Sequence, residues 1–104
     1  VKDGPDALLI ERDENGVPRI WAPDWETGWW GLGYMHAIDR GTQMFFSRSV
    51  AAGRGAEEIG ASRELLETDR FFRRWNLVER IDEECAKVPA PLAKQLDAYC
   101  DGVN

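Results

Sequence analysis

Histidine and cysteine are scarce in this chain, and their scarcity removes several chemistries at once. One histidine, His36, and two cysteines, Cys85 and Cys100, make neither a zinc pattern nor a disulfide framework. The helices expected on either side of residues 88–91 put Cys85 just before their turn and Cys100 well after it. Two separate, reduced and mostly buried thiols are therefore expected. Positive charge is short as well: 13 Lys and Arg against 19 Asp and Glu give a net charge of −6. Phosphate binding needs a concentrated basic surface, so a nucleic-acid partner is not expected. The basic cluster that exists, Arg70, Arg73 and Arg74, sits among Phe71, Phe72 and Trp75 and reads as ion pairing and packing. No apolar run has the length to cross a bilayer, and Val1-Lys2-Asp3-Gly4-Pro5 lacks the apolar core of a signal peptide. A soluble chain, or a piece already processed, is the expectation, with no membrane partner.

Aromatic side chains, by contrast, are abundant: five Trp, four Phe and two Tyr in 104 residues. A chain this short forms one domain at most and buries a modest fraction of its surface unaided. Such a load of large apolar groups suggests that part of the surface is covered by another chain.

The apolar runs Ala7–Arg12 and Val17–Ala22 flank Asp13-Glu14-Asn15-Gly16. Asn-Gly between such runs predicts a β-hairpin over residues 7–22, because both turn positions tolerate positive φ. Pro18 cannot donate a ladder hydrogen bond, so the second strand is expected to have an unpaired side. Residues 24–104 read as mainly helical. Asp24 is suited to cap a helix starting at Trp25, with Glu26 in its first turn. Gly28, Gly31 and Gly33 each cost that helix about 1 kcal/mol relative to alanine. Packing recovers this cost only where another backbone or a large ring comes close. With Trp29, Trp30, Leu32, Tyr34, Met35 and Ile38 the helix has almost no polar face, as expected of one surrounded by protein. Asp39 is expected to break it and cap a second segment ending at Gly53-Arg54-Gly55. A short Ala56–Gly60 piece, a helix start at Ser62 and a further turn at Asp69–Trp75 follow. Leu77–Lys87 and Pro91–Asn104 read as amphipathic helices, with Pro91 in a first helical position. The last helix has no obvious end at Gly102-Val103-Asn104, which reads as truncation or processing.

The segment Gly33-Tyr34-Met35-His36-Ala37-Ile38-Asp39-Arg40-Gly41-Thr42-Gln43-Met44 places a phenol, an acid, a guanidinium and a carboxamide in this apolar region. Such groups are costly to bury unless they satisfy one another, so Tyr34, Asp39, Arg40 and Gln43 are expected to be buried and hydrogen-bonded. Asp39 and Arg40 are neighbours in sequence and do not face each other on a helix, so each is expected to pair elsewhere. His36 reads as a satisfied helix residue rather than a base or metal ligand. Glu57-Glu58 and Glu83-Glu84 read as solvated faces.

This segment closely resembles the Gly-Tyr-x-x-Ala-Gln-Asp-Arg-x-x-Gln-Met signature of penicillin acylases and related N-terminal-nucleophile amidohydrolases. Four further pieces are similar in order. Glu11–Ala22 resembles Arg-Asp-Glu-Tyr-Gly-Val-Pro-His-Ile-Tyr-Ala. Arg48, Gly53, Glu57 and Gly60 resemble Arg-x-x-x-x-Gly…Ala-Glu-x-x-Gly. Asp69–Arg74 resembles Asp-Arg-x-x-Arg-Arg, and Tyr99, Gly102 and Asn104 resemble Tyr-x-x-Gly-x-Asn. Ile38 stands where the family has Gln, and Gly41-Thr42 replaces Leu-Phe, which marks a distant member.

The resemblance implies an α+β fold class, with residues 1–104 a single fragment of the small chain of an enzyme with a four-layer αββα core. The fragment would supply the hairpin and a set of helices. It implies hydrolysis of a linear carboxamide in a small-molecule substrate, by an N-terminal Ser, Cys or Thr on a large β chain, activated by its own α-amino group. Val1 has neither hydroxyl nor thiol, so no catalytic residue is expected in this chain. The resemblance further implies a periplasmic or secreted location and a structural calcium in the complete enzyme, whereas no cofactor or metal is expected in this chain. Two other classes compete: a non-enzymatic helical interaction module, and a small self-contained hydrolase using His36, Asp39 and Ser47 or Ser49.

Overall fold

The computed structural model describes residues 5–104; the readings above that rest on Val1 to Gly4 lie outside them. The chain divides into two compact units, the first formed by residues up to Arg40 with Pro89–Asn104 and the second by Gly41–Val88.

The first unit opens with the expected hairpin, strands β1 (Leu9–Arg12) and β2 (Pro18–Trp21). They pair antiparallel with Leu9 opposite Trp21, Ile10 opposite Ile20, Glu11 opposite Arg19 and Arg12 opposite Pro18. The turn differs from expectation, since only Gly16 takes positive φ, at 79°, and Asn15 does not. Asp13 is the reason. Its carboxylate accepts the backbone N–H groups of Asn15 and Val17, both at 2.9 Å, and this organises a longer loop than a two-residue turn. Side chains alternate along the strands, so Ile10 and Ile20 share one face and Leu9 and Trp21 the other. The isoleucine face is the covered one: a Cβ built on Gly31 would meet Ile20 and Leu8 at 2.9 and 3.1 Å.

Gly31 belongs to α1, Trp25–Ala51, whose 27 residues run without interruption. Asp24 caps it as expected, accepting the Thr27 N–H at 2.8 Å. The break expected at Asp39 is absent, because its carboxylate is taken by Arg12 of the hairpin instead of capping a new segment. Helix α5 (Ala90–Val103), with Pro91 in its first turn, crosses α1 at backbone contact. A Cβ on Gly33 would overlap the Tyr99 carbonyl, and one on Gly102 would overlap the Trp30 carbonyl. The close approach anticipated for α1 therefore holds at Gly31 and Gly33. Gly28 only reaches an ordinary contact, 3.8 Å from the Ala22 Cβ.

In the second unit, α1 ends in a Schellman motif. Gly53 is left-handed at φ 65°, its N–H donates to Val50 at 3.0 Å, and the Arg54 N–H donates to Ser49 at 2.9 Å. A short helix α2 (Gly55–Glu58) follows, then α3 (Arg63–Trp75), one helix where two pieces were expected. Ser62 caps α3 through its hydroxyl, and Asn76 ends it in the left-handed region. The helix expected over Leu77–Lys87 is reduced to a 3-10 turn, Val78–Arg80, and a single turn α4, Ile81–Cys85. Its apolar residues Leu77, Val78 and Ile81 stay exposed, so no buried face extends the helix. Cys85 and Cys100 are free thiols, and both are exposed rather than buried.

Candidate functional site

The motif residues lie along α1, and the structure separates their roles. Asp39 faces the hairpin, where Arg12 grips it with both terminal nitrogens, Nη2 to Oδ1 at 2.5 Å and Nη1 to Oδ2 at 3.1 Å. The same Nη1 donates to the Gly16 carbonyl at 2.7 Å, so one guanidinium ties the hairpin loop to the middle of α1. A paired fork of this kind fixes orientation as well as distance. Its hydrogen bonds hold the Asp39 carboxyl below the usual carboxylate range and raise Arg12 further. Tyr34 is half-buried and stacks on Trp30 at 5.4 Å and 14°.

The buried network expected of Tyr34, Asp39, Arg40 and Gln43 is not formed within this chain. Asp39, Arg40 and Gln43 are exposed, and among the described residues no side-chain hydrogen bond reaches Arg40 or Gln43. Within the described residues the four are not brought together as one hydrogen-bonded cluster.

His36 meets Tyr99 of α5, with Nδ1 3.0 Å from the phenol oxygen and the rings edge to face. Tyr99 is also edge-on to Trp29 at 6.4 Å. This accounts for His36 as a satisfied, if exposed, helix residue. The hydroxyl of Ser49, itself 2 % exposed, donates to Glu58, which also pairs with Arg54 at 3.2 Å. Glu57 and Glu58 are both exposed, as expected, with Glu58 also engaged by Ser49 and Arg54. A triad of His36, Asp39 and a serine does not assemble, because Asp39 is held by Arg12, His36 by Tyr99 and Ser49 by a carboxylate.

Asp69 holds a structural corner that its sequence context does not announce. It is 6 % exposed and accepts the N–H groups of Gly55 and Ala56, each at 2.8 Å, capping α2 across 13 and 14 residues of sequence. Arg73 completes that corner by donating to the Gly53 carbonyl at 2.7 Å. Gly102 was missed as the mate of Gly33. Two glycines inside helices are themselves a signal, since each is costly there without a close neighbour.

An open groove of about 500 Å³ in the first unit is lined by Asp24, Glu26, Trp30, Lys94, Asp97 and Asp101 among others. Its carboxylates do not converge: among the described residues no three of His, Cys, Asp and Glu are placed to hold a metal ion. The Asp24 carboxyl is occupied by the α1 amides, first that of Thr27, which hold it below its ordinary range.

The family model for penicillin amidase matches residues 8–104. This chain belongs to the penicillin amidase family. It is 36% identical over 97 residues to the acyl-homoserine lactone acylase QuiP of Pseudomonas aeruginosa, covering 93% of this chain and 11% of that protein. It is also 36% identical over 97 residues to penicillin acylase 2 proenzyme of a Pseudomonas species, covering 93% and 12%. Penicillin G acylase of Escherichia coli is 34% identical over 97 residues, with 93% and 11% covered. Among solved structures, a thermostable penicillin G acylase from Alcaligenes faecalis superimposes with a TM-score of 0.80 at 26% identity, over 94% of this chain and 51% of that one. The chain thus spans about an eighth or less of the length of these full-length penicillin amidase relatives. The expected fold class, a hairpin followed by helices in an N-terminal-nucleophile hydrolase, is the observed one.

Proposed function

We propose that this chain is the N-terminal part of the small chain of a penicillin-acylase-like amidohydrolase. In this reading it supplies scaffold and pocket wall, while the nucleophile is the N-terminal Ser, Cys or Thr of a large β chain released from a common precursor. The observation that carries the reading is the apolar surface left open on a chain matched along residues 8–104 by the penicillin amidase family. Trp21, Trp25, Phe45, Phe46, Phe71 and Trp75 are 60, 79, 54, 47, 52 and 59 % exposed. Covering each is worth about 1.5–3 kcal/mol, a large incentive for a second chain to fold over them. The proenzyme in the name of one relative agrees with a processed precursor. In this reading Arg40, exposed here, pairs with a carboxylate of that second chain.

The reaction proposed is hydrolysis of a linear carboxamide, releasing an acyl group from an amine. The free α-amino group, with an ordinary pKa of about 7.7–8.0, suits a general base at neutral pH, and backbone donors would stabilise the tetrahedral oxyanion. A structural calcium is proposed for the complete enzyme, with ligands mainly in the large chain and later in the small chain. The location proposed is periplasmic or secreted.

The test is expression of the complete gene beside this chain alone. The complete product is expected to mature into two chains in equal amounts, the larger beginning in Ser, Cys or Thr, and to hydrolyse an N-acyl-homoserine lactone or a penicillin side-chain amide. The chain alone is expected to aggregate or bind apolar dyes and to be inactive. Amide hydrolysis by the lone chain would overturn this division of labour. A cooperative melt of the lone chain without dye binding would favour an interaction module.

A further inference from the structure

The loop between β1 and β2 carries a chemistry beyond its turn geometry. Asparagine is a thermally labile residue. Its carboxamide carbon and the backbone nitrogen of the next residue are the ends of a five-membered ring, so that nitrogen can displace ammonia from the side chain. A side chain on the next residue crowds the nitrogen, and glycine has none. The sequence has three asparagines, Asn15, Asn76 and Asn104. Asn76 precedes Leu77, and its carboxamide nitrogen donates to Glu79 at 2.7 Å. Asn15 precedes Gly16, both are exposed, and among the described residues no side-chain hydrogen bond holds the Asn15 carboxamide. A Cβ built on Gly16 would meet nothing within 4 Å, so the bond lies open to water. Asp101-Gly102 could close the same ring with loss of water, but it lies inside α5 with Gly102 buried against the backbone of α1.

We infer that Asn15-Gly16 is a site of spontaneous modification by water, which converts Asn15 to an isoaspartyl or aspartyl residue and releases the hairpin loop from α1. The Gly16 nitrogen loses its proton to solvent and bonds to the Asn15 carboxamide carbon, whose bond to nitrogen breaks as ammonia leaves. The resulting cyclic imide takes up one water. Cleavage of the ring at the Asn15 main-chain carbonyl leaves the chain running through the side chain, the isoaspartyl form; cleavage at the side-chain carbonyl gives the aspartyl form. The overall change is water in and ammonia out, with one negative charge gained.

The loop sets both the rate and the consequence. The Gly16 N–H donates to the Asp13 carbonyl at 2.9 Å, and the Asp13 carboxylate accepts the amides of Asn15 and Val17, also at 2.9 Å. The attacking nitrogen is therefore free only when the loop opens, and Asp13 is the positioning residue that limits opening. The isoaspartyl form adds a carbon to the main chain between the two amides that Asp13 holds, so one carboxylate no longer matches both. It also displaces the Gly16 carbonyl, which accepts from Arg12 Nη1 at 2.7 Å while the same guanidinium grips Asp39. The new carboxylate joins a loop that already holds Asp13 and Glu14.

The experiment follows the complete, folded enzyme at mildly alkaline pH in heavy-oxygen water, with peptide mapping by mass and an isoaspartyl-specific methyltransferase as the probe. Position 15 is expected to take up solvent oxygen and yield both forms, faster as pH rises, while Asn76 keeps its carboxamide. Asp13→Ala is expected to convert at least about tenfold faster, the change in opening when a hydrogen bond to a charged acceptor is lost. Asn15→Gln, which would close a larger ring, is expected to stay unmodified. The isoaspartyl enzyme is expected to melt below Asn15→Asp, which adds the charge without the extra carbon. An Asn15 that stays intact in the folded enzyme while it converts in the urea-unfolded enzyme would overturn the inference, and this comparison stands even if Asp13→Ala fails to fold. Conversion with no isoaspartyl product would overturn the ring step. Equal melting of the isoaspartyl enzyme and Asn15→Asp would overturn the release of the loop. None of these outcomes depends on how the enzyme is divided into chains.

Discussion

Each of the two compact units has its own internal tie, and the two ties are of opposite kinds. In the first, the decisive contact is between backbones: Gly33 of α1 and Gly102 of α5 each leave room for a carbonyl of the other helix. In the second, the decisive contact is a buried charge: Asp69 of α3 satisfies the first two amides of α2, and Arg73 satisfies the carbonyl of the Gly53 turn. The first arrangement works by having no side chain, the second by having a specific one. They should therefore fail under different substitutions, the first under added volume and the second under removed charge.

The largest effect is expected where volume is added to the crossing. Gly33→Leu or Gly102→Leu places a branched side chain into a backbone carbonyl, which cannot swing aside as a flexible side chain can. Overpacking that side chains absorb costs about 1–3 kcal/mol, and a clash with backbone belongs at or above the top of that range. Loss of soluble, matured enzyme is the expected result. Gly41→Ala sharpens the contrast within the same helix. Nothing lies within 4 Å of a Cβ there, so the variant should raise the melting temperature of the enzyme, alanine being favoured over glycine by about 1 kcal/mol. A tolerated Gly33→Leu would show that the two backbones do not need their contact.

Removing charge from the second unit comes next. Asp69→Ala leaves the Gly55 and Ala56 amides without their acceptor in a buried corner, and hydrogen bonds to a charged group are worth about 1.5–3 kcal/mol each. A loss of about 3 kcal/mol, read as a drop in the denaturation midpoint of the assembled enzyme, is expected. Asp69→Asn keeps an acceptor oxygen and should lose about half as much. If alanine and asparagine behave alike, the carboxylate is not what holds α2.

This difference explains what the sequence could reveal. Local chemistry was legible: Asp24 and Ser62 cap helices because their side chains reach amides three residues on, and Pro91 opens α5 because its missing N–H is not needed there. The glycines of α1 announced a close neighbour without naming it. Partners distant in sequence were hidden. Asp39 looked like a cap because nothing nearby could claim it, while Arg12, 27 residues earlier, does so. Asp69 sits in an ordinary amphipathic helix, and its role depends on a corner formed 13 and 14 residues away. Leu77–Lys87 carried an amphipathic pattern but lacked a surface to bury it against, so only a single turn of α-helix forms.

The smallest effect concerns the forked Arg12–Asp39 tie of the first unit, and it has a definite sign with pH. Asp39 titrates lower in the folded protein than in the unfolded chain, first because of the Arg12 hydrogen bonds. Its contribution to stability is therefore fully present above the ordinary carboxylate pKa of about 3.9 and is lost as pH falls through the lower folded value. Arg12 stays protonated throughout this range, so the carboxyl alone sets the window. Asp39→Asn should remove that part of the acid sensitivity, giving a shallower fall in melting temperature below about pH 4 than the unmodified enzyme shows. The pair is exposed to solvent, so the difference should shrink as salt is raised, whereas the Asp69 effect, buried and hydrogen-bonded to backbone, should not. Identical acid profiles for the variant and the unmodified enzyme would mean that the fork between the hairpin and α1 contributes geometry but no pH-dependent stability. Equal salt sensitivity at the two positions would undo the distinction between the surface tie of the first unit and the buried charge of the second.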